Sequence, residues 1–140
     1  MYKIQSFVDN KKARAEVVLL WNELLADPAP HNQPEESLQR LIAHADSLFF
    51  ICTHQDRIIA TVSGGYDGHR GWLYSLAVHS DHQRQGIARR LVICLEQALI
   101  KRGCQKLNLQ VRNDNGAVME FYRHCGFEIE DRISFGKRLY

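Results

Sequence analysis

The period of the apolar positions changes several times along this chain, and each change marks an element. Tyr2 to Phe7 alternates apolar and polar residues and predicts a short strand. Asp9 or Asn10 can cap a helix running to about Ala26, in which Val17, Leu20, Trp21, Leu24 and Leu25 recur at helical spacing. Pro28, Pro30 and Pro34 then break the chain. Pro34-Glu35-Glu36 opens a second helix to about His44, with proline early and acids in the first turn. Leu48 to Thr53 is a continuous apolar run and predicts a buried strand. Gln55-Asp56 turns it back, and Arg57 to Gly64 pairs with it as a hairpin. The segment Gly64 to Gly71, with Gly65 and Gly68 between, reads as a wide turn, and Trp72 to Val78 as the next strand.

The second half repeats the alternation of types. A long helix spans about Gln85 to Arg102, with Ile87, Leu91, Leu95 and Ala98 on one face and Gly103 at its end. Lys106 to Val111 is a strand by alternation. Asn113-Asp114 caps a shorter helix to about Cys125, which Gly126 ends. Phe127 to Leu139 predicts one or two final strands. The order is β-α-α-β-β-β-α-β-α-β-β. It predicts an α/β (α+β) fold, with a mixed central sheet of six to seven strands flanked by about four helices. Hairpins build the antiparallel part of that sheet and a strand-helix-strand unit the parallel part.

At 140 residues the chain has room for one domain, residues 1–140, and none for a (β/α)₈ barrel of about 250 residues. Hydrophobic residues at 45% and charged residues at 24% exclude wholesale disorder. No segment approaches the roughly 20 apolar residues of a membrane span. Lys11, Lys12 and Arg14 precede only a short apolar run, Val17 to Trp21, too brief for a signal peptide. The four cysteines (Cys52, Cys94, Cys104, Cys125) form no CxxC pair, and no histidine spacing completes a zinc site. They read as reduced thiols of a cytoplasmic protein, with no metal and no membrane partner.

Charge adds an asymmetry. Residues 1–70 hold seven Lys and Arg against nine Asp and Glu, a net of −2. Residues 71–140 hold eleven against seven, a net of +4. Part of that excess converges on Gln83-Arg84-Gln85-Gly86-Ile87-Ala88, between an apolar strand and the long helix. A helix start exposes unpaired N–H groups and the positive end of the dipole. A glycine there lets an anion reach the backbone, and Arg84, Arg89 and Arg90 add charge; the alternative is a basic turn with a flexible glycine. This is neither a Walker loop nor GxGxxG. With the arginines around one loop and no aromatic platform beside them, nucleic acid is not expected as a partner.

Strand, Gln83-x-x-Gly86-x-Ala88, long helix, strand, then Arg112-x-x-Asn115, Phe121-Tyr122 and Gly126-Phe127 resembles the GCN5-related N-acetyltransferases (GNAT). The likeness runs from about Trp72 to Phe127 and loosely over the whole chain. The stretches Gly64 to Gly71 and Ser134 to Leu139 look like a bacterial subgroup of that family. The resemblance implies acetyl-CoA as co-substrate. Its pyrophosphate would lie on Arg84, Gln85, Gly86, Ile87, Ala88 and Arg89. Its pantetheine would lie beside Leu76-Ala77-Val78, splayed by a bulge, with an N–H near Val78 polarising the thioester carbonyl. By resemblance Asn115 contacts the cofactor; by its own chemistry it is a helix cap. By resemblance Tyr122 is the catalytic residue that protonates the departing thiolate; by spacing with Val118 and Cys125 it is a core aromatic.

The implied reaction is direct attack of a primary amine on the thioester, with no cysteine nucleophile. In relatives that acetylate a ribosomal-protein N-terminus a glutamate precedes the Val-Arg pair. Here Gln110 stands there and cannot act as a base. Tyr66, Asp67, His69 and His79 are candidate bases, and each reads equally as a turn or surface residue. The Gly64 to Gly71 loop reads as a hairpin connection or as an acceptor-site wall, with the Pro28 to Pro34 stretch as the other rim. His79 and His82 lack a third ligand. The acceptor is a small-molecule amine or a peptide or protein amine, and the protein is a monomer or homodimer. The alternative from another class is a non-catalytic acyl-CoA-binding or sensor module.

Overall fold

Sheet formation centres on the most apolar part of the sequence. A computed structural model describes residues 1–140, which divide into two compact units, Met1–Leu109 and Gln110–Tyr140. In the first unit β2 (Leu48–His54) and β3 (Arg57–Tyr66) form the expected hairpin. Gln55 and Asp56 turn the chain with φ of 51° and 63°, the left-handed pair that matches strand twist in a two-residue turn. β1 (Tyr2–Ser6) pairs antiparallel with β2, and β4 (Gly71–Val78) antiparallel with β3. β5 (Leu107–Asn108) is parallel to β4, so the mixed sheet runs β1-β2-β3-β4-β5.

Helices cover both faces of this sheet. α1 (Lys11–Leu24) starts at Asn10, whose side chain accepts the Ala13 N–H at 2.9 Å. Its Ala13, Val17, Leu20 and Trp21 are buried with Leu38 of α2 (Pro34–Ala43) and with Ile51, Ile58 and Ala77 of the sheet. α3 (Ile87–Lys101) buries Ile87, Leu91, Val92, Leu95 and Leu99. The pleat sends residues an odd number apart to opposite faces. Thr61 of β3 meets Trp21 of α1, whereas a Cβ at Gly64 would lie 2.9 Å from the methyls of Leu95 of α3. α1 and α3 therefore sandwich the sheet.

The second unit contains α4 (Gly116–His124). Its cap is Asn115, as that residue's own chemistry suggested, and not Asn113-Asp114: the Asn115 side chain accepts the Val118 N–H at 3.3 Å.

Three expectations on strands are corrected. The sheet has five strands rather than six to seven. The expected strand Lys106 to Val111 pairs only at Leu107 and Asn108. Phe127 to Leu139 forms no strand, and Ile133, Phe135 and Leu139 are 84%, 94% and 91% exposed. Alternation makes a segment amphipathic, but a strand also needs a partner for its N–H and C=O groups, which alternation does not specify. Gly64 and Gly65 belong to β3 instead of a loop; the turn is confined to Asp67–Arg70. Gly64 is there for packing, since a Cβ would sit 2.5 Å from the Trp72 carbonyl oxygen.

Candidate functional site

The site in the first unit is built on an irregularity in β4. Thr61 pairs with Ala77 and Ser63 with Tyr74, so two steps along β3 face three along β4. The extra residue is a bulge, and Ser75 takes φ 54° to accommodate it. A bulge deprives carbonyls of ladder partners. Two hydroxyls of β3 replace them: Thr61 donates to the Ser75 carbonyl at 2.8 Å and Ser63 to the Tyr74 carbonyl at 3.2 Å. Trp21 Nε1 in turn donates to Thr61 Oγ1 at 2.9 Å. Thr61 and Ser63 are the two buried polar side chains of the core. Two hydroxyls in the otherwise apolar run Ile58 to Ser63 were a residue-level signal that the neighbouring strand is irregular; sequence reasoning reached the bulge only through the family resemblance.

The other edge of β4 opens at the same place. β5 pairs with it only at Gly71 and Trp72, so Leu76, Ala77 and Val78 have no partner strand on that side. An open strand edge suits an extended amide-bearing ligand, which can add to it by main-chain pairing. Ala77 is buried beneath α1, and Leu76 and Val78 are half-buried.

Beyond Val78 a 3₁₀ turn (Ser80–His82) leads to the basic loop. Gln83 folds back, its Nε2 donating to the Val78 carbonyl at 3.0 Å. Arg84 and Gly86 have φ of 62° and 77°. Gly86 is the N-cap of α3, with no side chain capping the helix and open space where a Cβ would stand. The first intrahelical bond is Arg90 N–H to Gly86 O, so the N–H groups of Ile87, Ala88 and Arg89 precede the ladder. Ile87 is buried and anchors this end; Arg84, Gln85, Arg89 and Arg90 are exposed. The loop is thus an open, positively charged concavity of backbone donors, which fits a phosphate group.

The remaining expected site residues, Asn115 and Tyr122, lie in the second unit. Asn115 holds the α4 cap described above. The Tyr122 ring makes edge contacts with Phe121 and Phe127, at centroid distances of 5.1 and 5.6 Å. Burial pushes its phenol up to about 12, and nearby Cys125 adds to the rise.

The candidate bases are mostly committed elsewhere. Asp67 accepts the backbone N–H groups of Arg70 and His69, each at 2.8 Å, and these bonds hold its carboxyl below the usual range. Tyr66 donates to the Gly68 carbonyl. His79 Nδ1 accepts the Asp81 N–H at 3.1 Å, and its Nε2 lies 3.9 Å from Glu23. The His82 ring is 5.9 Å from that of His79, and its Nδ1 is 3.0 Å from the Tyr2 hydroxyl. Burial raises the Cys52 and Cys94 thiols, opposite to the direction a nucleophile needs.

Two hollows open in the first unit. One, of about 460 Å³, lies between α1 and α2 along Arg14, Val18, Leu19, Asn22 and Glu35, and no expected site residue lines it. The other, of about 140 Å³, is lined by Trp21, Leu25, Asp27, Asn32, Pro34, Ser37 and Ser75. It joins the Pro28 to Pro34 stretch to the bulge. No residue of the Gly64 to Gly71 segment lines it.

A family model described as the acetyltransferase (GNAT) family matches residues 18–127. An acetyltransferase of Yersinia pestis (strain Pestoides F) is 45% identical over 126 residues, covering 89% of this chain and 87% of that protein. One of Sodalis glossinidius is 42% identical over 127 residues, with the same coverage. Among solved structures, AAC(6')-Iy in complex with a CoA-linked bisubstrate analog superposes with a TM-score of 0.80 at 16% identity, over 99% of this chain and 98% of that one. The ribosomal-protein-S18-alanine N-acetyltransferase from Escherichia coli superposes at 0.77 with 26% identity, over 91% of this chain and 78% of that one.

Proposed function

This chain belongs to the GNAT family of acetyltransferases, and on that premise we propose that residues 1–140 form one N-acetyltransferase domain acting from acetyl-CoA on a primary amine. The single observation that carries this reading is the geometry of β4. Its free edge at Leu76–Val78 runs into the donor-rich loop Arg84–Arg89, so one extended ligand can use both. The CoA-linked analog in AAC(6')-Iy supports the choice of ligand.

When bound, acetyl-CoA supplies an acetyl group already activated as a thioester. The loop's N–H groups, with Arg84 and Arg89, take the pyrophosphate charge, and no metal is required for it. Leu76, Ala77 and Val78 align the arm by main-chain pairing, and a backbone N–H near Val78 stabilises charge on the carbonyl oxygen. The amine nitrogen bonds to the carbonyl carbon, the carbon–sulfur bond breaks, and the amine loses a proton to water. Tyr122 is the proton donor to the thiolate, and Asn115 assists cofactor binding while capping α4.

The raised phenol refines that role. A group at about 12 is fully protonated at neutral pH. Moving its proton to a thiolate of ordinary pKa near 8.5 is uphill by about 3.5 pH units. Tyr122 therefore first hydrogen-bonds to the developing thiolate; its proton then passes to the sulfur, and the water that took the amine's proton returns one to the phenolate. No cysteine intervenes. The four free cysteines fit a reducing compartment, so we place the enzyme in the cytoplasm.

A free-thiol release assay over a panel of primary amines and N-terminal peptides tests the reading, beside calorimetry with acetyl-CoA. Thiol release that needs both amine and acetyl-CoA is expected. Tight cofactor binding with no turnover of any amine would overturn it in favour of a binding module.

A further inference from the structure

The 140 Å³ cavity lies between two elements. One is the bulge residue Ser75, the immediate neighbour of Leu76 on the open β4 edge. The other is the α1–α2 connection, which contributes Asp27 and Asn32. Resting on the acetyltransferase reading above, we infer that this cavity holds the far end of the acceptor, that the acceptor is a small amine with a second positive charge, and that Asp27 selects it.

Size sets the first limit. The cavity has room for about five water volumes, which suits an end group of a few heavy atoms. Lining chemistry sets the second. Trp21 forms a buried wall whose Nε1 is already committed to Thr61, so toward a ligand it offers only apolar surface and π-density. Leu25 and Pro34 extend that surface, which suits a short alkyl segment. Asp27 is the only ionisable side chain among the lining residues.

Asp27 is also held in place. Its Oδ1 accepts the Ala29 N–H at 2.8 Å and its Oδ2 accepts the Asn32 amide at 3.0 Å. Both bonds fix its orientation. A fixed carboxylate beside an aromatic wall recognises an ammonium by charge and by cation–π attraction together. That group cannot be the reacting amine, because attack requires a neutral nitrogen, and a carboxylate contact keeps an amine protonated. The substrate class that meets all three conditions is a short aliphatic diamine or an equally compact amine with a second cationic centre. One ammonium is anchored at Asp27, and the other nitrogen, deprotonated, points past Ser75 toward Leu76–Val78.

The test compares a four-carbon diamine, the four-carbon monoamine, an aminoglycoside and an alanyl peptide as acceptors. The diamine is expected to have at least a tenfold higher kcat/KM than the monoamine, carried by KM rather than kcat. In Asp27→Asn, which keeps the shape and one acceptor, that ratio falls at least tenfold, while the acetyl-CoA Kd measured by calorimetry is unchanged. Ser37→Leu, which fills the cavity without replacing Asp27, raises the diamine KM at least tenfold. A diamine-to-monoamine ratio that Asp27→Asn leaves intact, or a peptide or aminoglycoside preferred over the diamine, would overturn the assignment. Direct calorimetry of the diamine on wild type and Asp27→Asn separates the two readings. Should no amine turn over, the acetyltransferase reading fails, yet diamine binding lost in Asp27→Asn still upholds the cavity, and equal or absent binding in both refutes it.

Discussion

The amide of Gln83 donates to the carbonyl of Val78 at 3.0 Å, tying the last residue of β4 to the loop that opens α3. The strand end and the basic loop are therefore joined by a direct side-chain bond. A bond of this kind contributes about 1 kcal/mol. Gln83→Ala is expected to raise the acetyl-CoA KM about fivefold with a smaller change in kcat. Steady-state kinetics with the two substrates varied separately would show it, and a kcat loss larger than the KM change would refute a positioning role.

Gly86 combines φ 77° with open space at the Cβ position. An alanine there meets no neighbour but costs about 1–2 kcal/mol for the left-handed conformation, and its methyl occupies the concavity. Gly86→Ala should lower the melting temperature by only a few degrees and weaken acetyl-CoA binding at least tenfold. Equal proportional losses in both would argue against phosphate capture at this loop.

Gly64 presents the opposite case, with no conformational demand but no space. A Cβ would stand 2.5 Å from the Trp72 carbonyl oxygen, which is backbone of the neighbouring strand, and 2.9 Å from Leu95. Gly64→Ala is expected to destabilise the protein by about 3 kcal/mol, the upper end for overpacking. Gly65→Ala, with nothing within 4 Å, serves as the control. Urea midpoints report both.

Thr61 links Trp21 to the bulge. Thr61→Val strands a buried indole N–H and removes the Ser75 carbonyl's hydroxyl partner, at about 1–3 kcal/mol for each unsatisfied group. Thr61→Ser should recover most of the loss. Failure of serine to rescue would show that the methyl, rather than the hydroxyl, is what the site uses.

Tyr122 should lose its proton at about 12 instead of the ordinary 10. The folded state holds the phenol proton more tightly than the unfolded chain does. Its contribution is therefore complete below pH 10 and disappears as pH rises through about 12. Two units correspond to roughly 3 kcal/mol. Tyr122→Phe should flatten this alkaline loss in denaturation curves and reduce kcat about 100-fold at neutral pH. An unchanged kcat would remove Tyr122 from the chemistry.

Much of this was legible in the residues because it is local. Asn10 caps α1, Pro34 opens α2, and Gln55-Asp56 turn the hairpin, each through bonds within a few positions. The loop Gln83 to Ala88 was legible for the same reason, since its donors, its glycine and its arginines are contiguous. The bulge at Ser75 was implied only through the family resemblance, not by the local pattern of its own strand. It is a mismatch in count between two strands, and no residue of β4 announces it; only Thr61 and Ser63, on the other strand, hint at it. The tail from Phe127 misled in the opposite direction, because its alternation is real and its partner is missing.

By itself, the sequence determines the helices, the hairpin and the basic loop, read from periodicity and spacing along one chain, and it carries the motifs through which it resembles its family. Tertiary structure decided which carbonyls of β4 lose their partners, which stretch of its edge stays open, and that Asp27 shares a cavity with Ser75. Those properties depend on register and on segments about fifty residues apart meeting in space. A hydrophobic pattern records which side of an element is buried, but not what lies across from it.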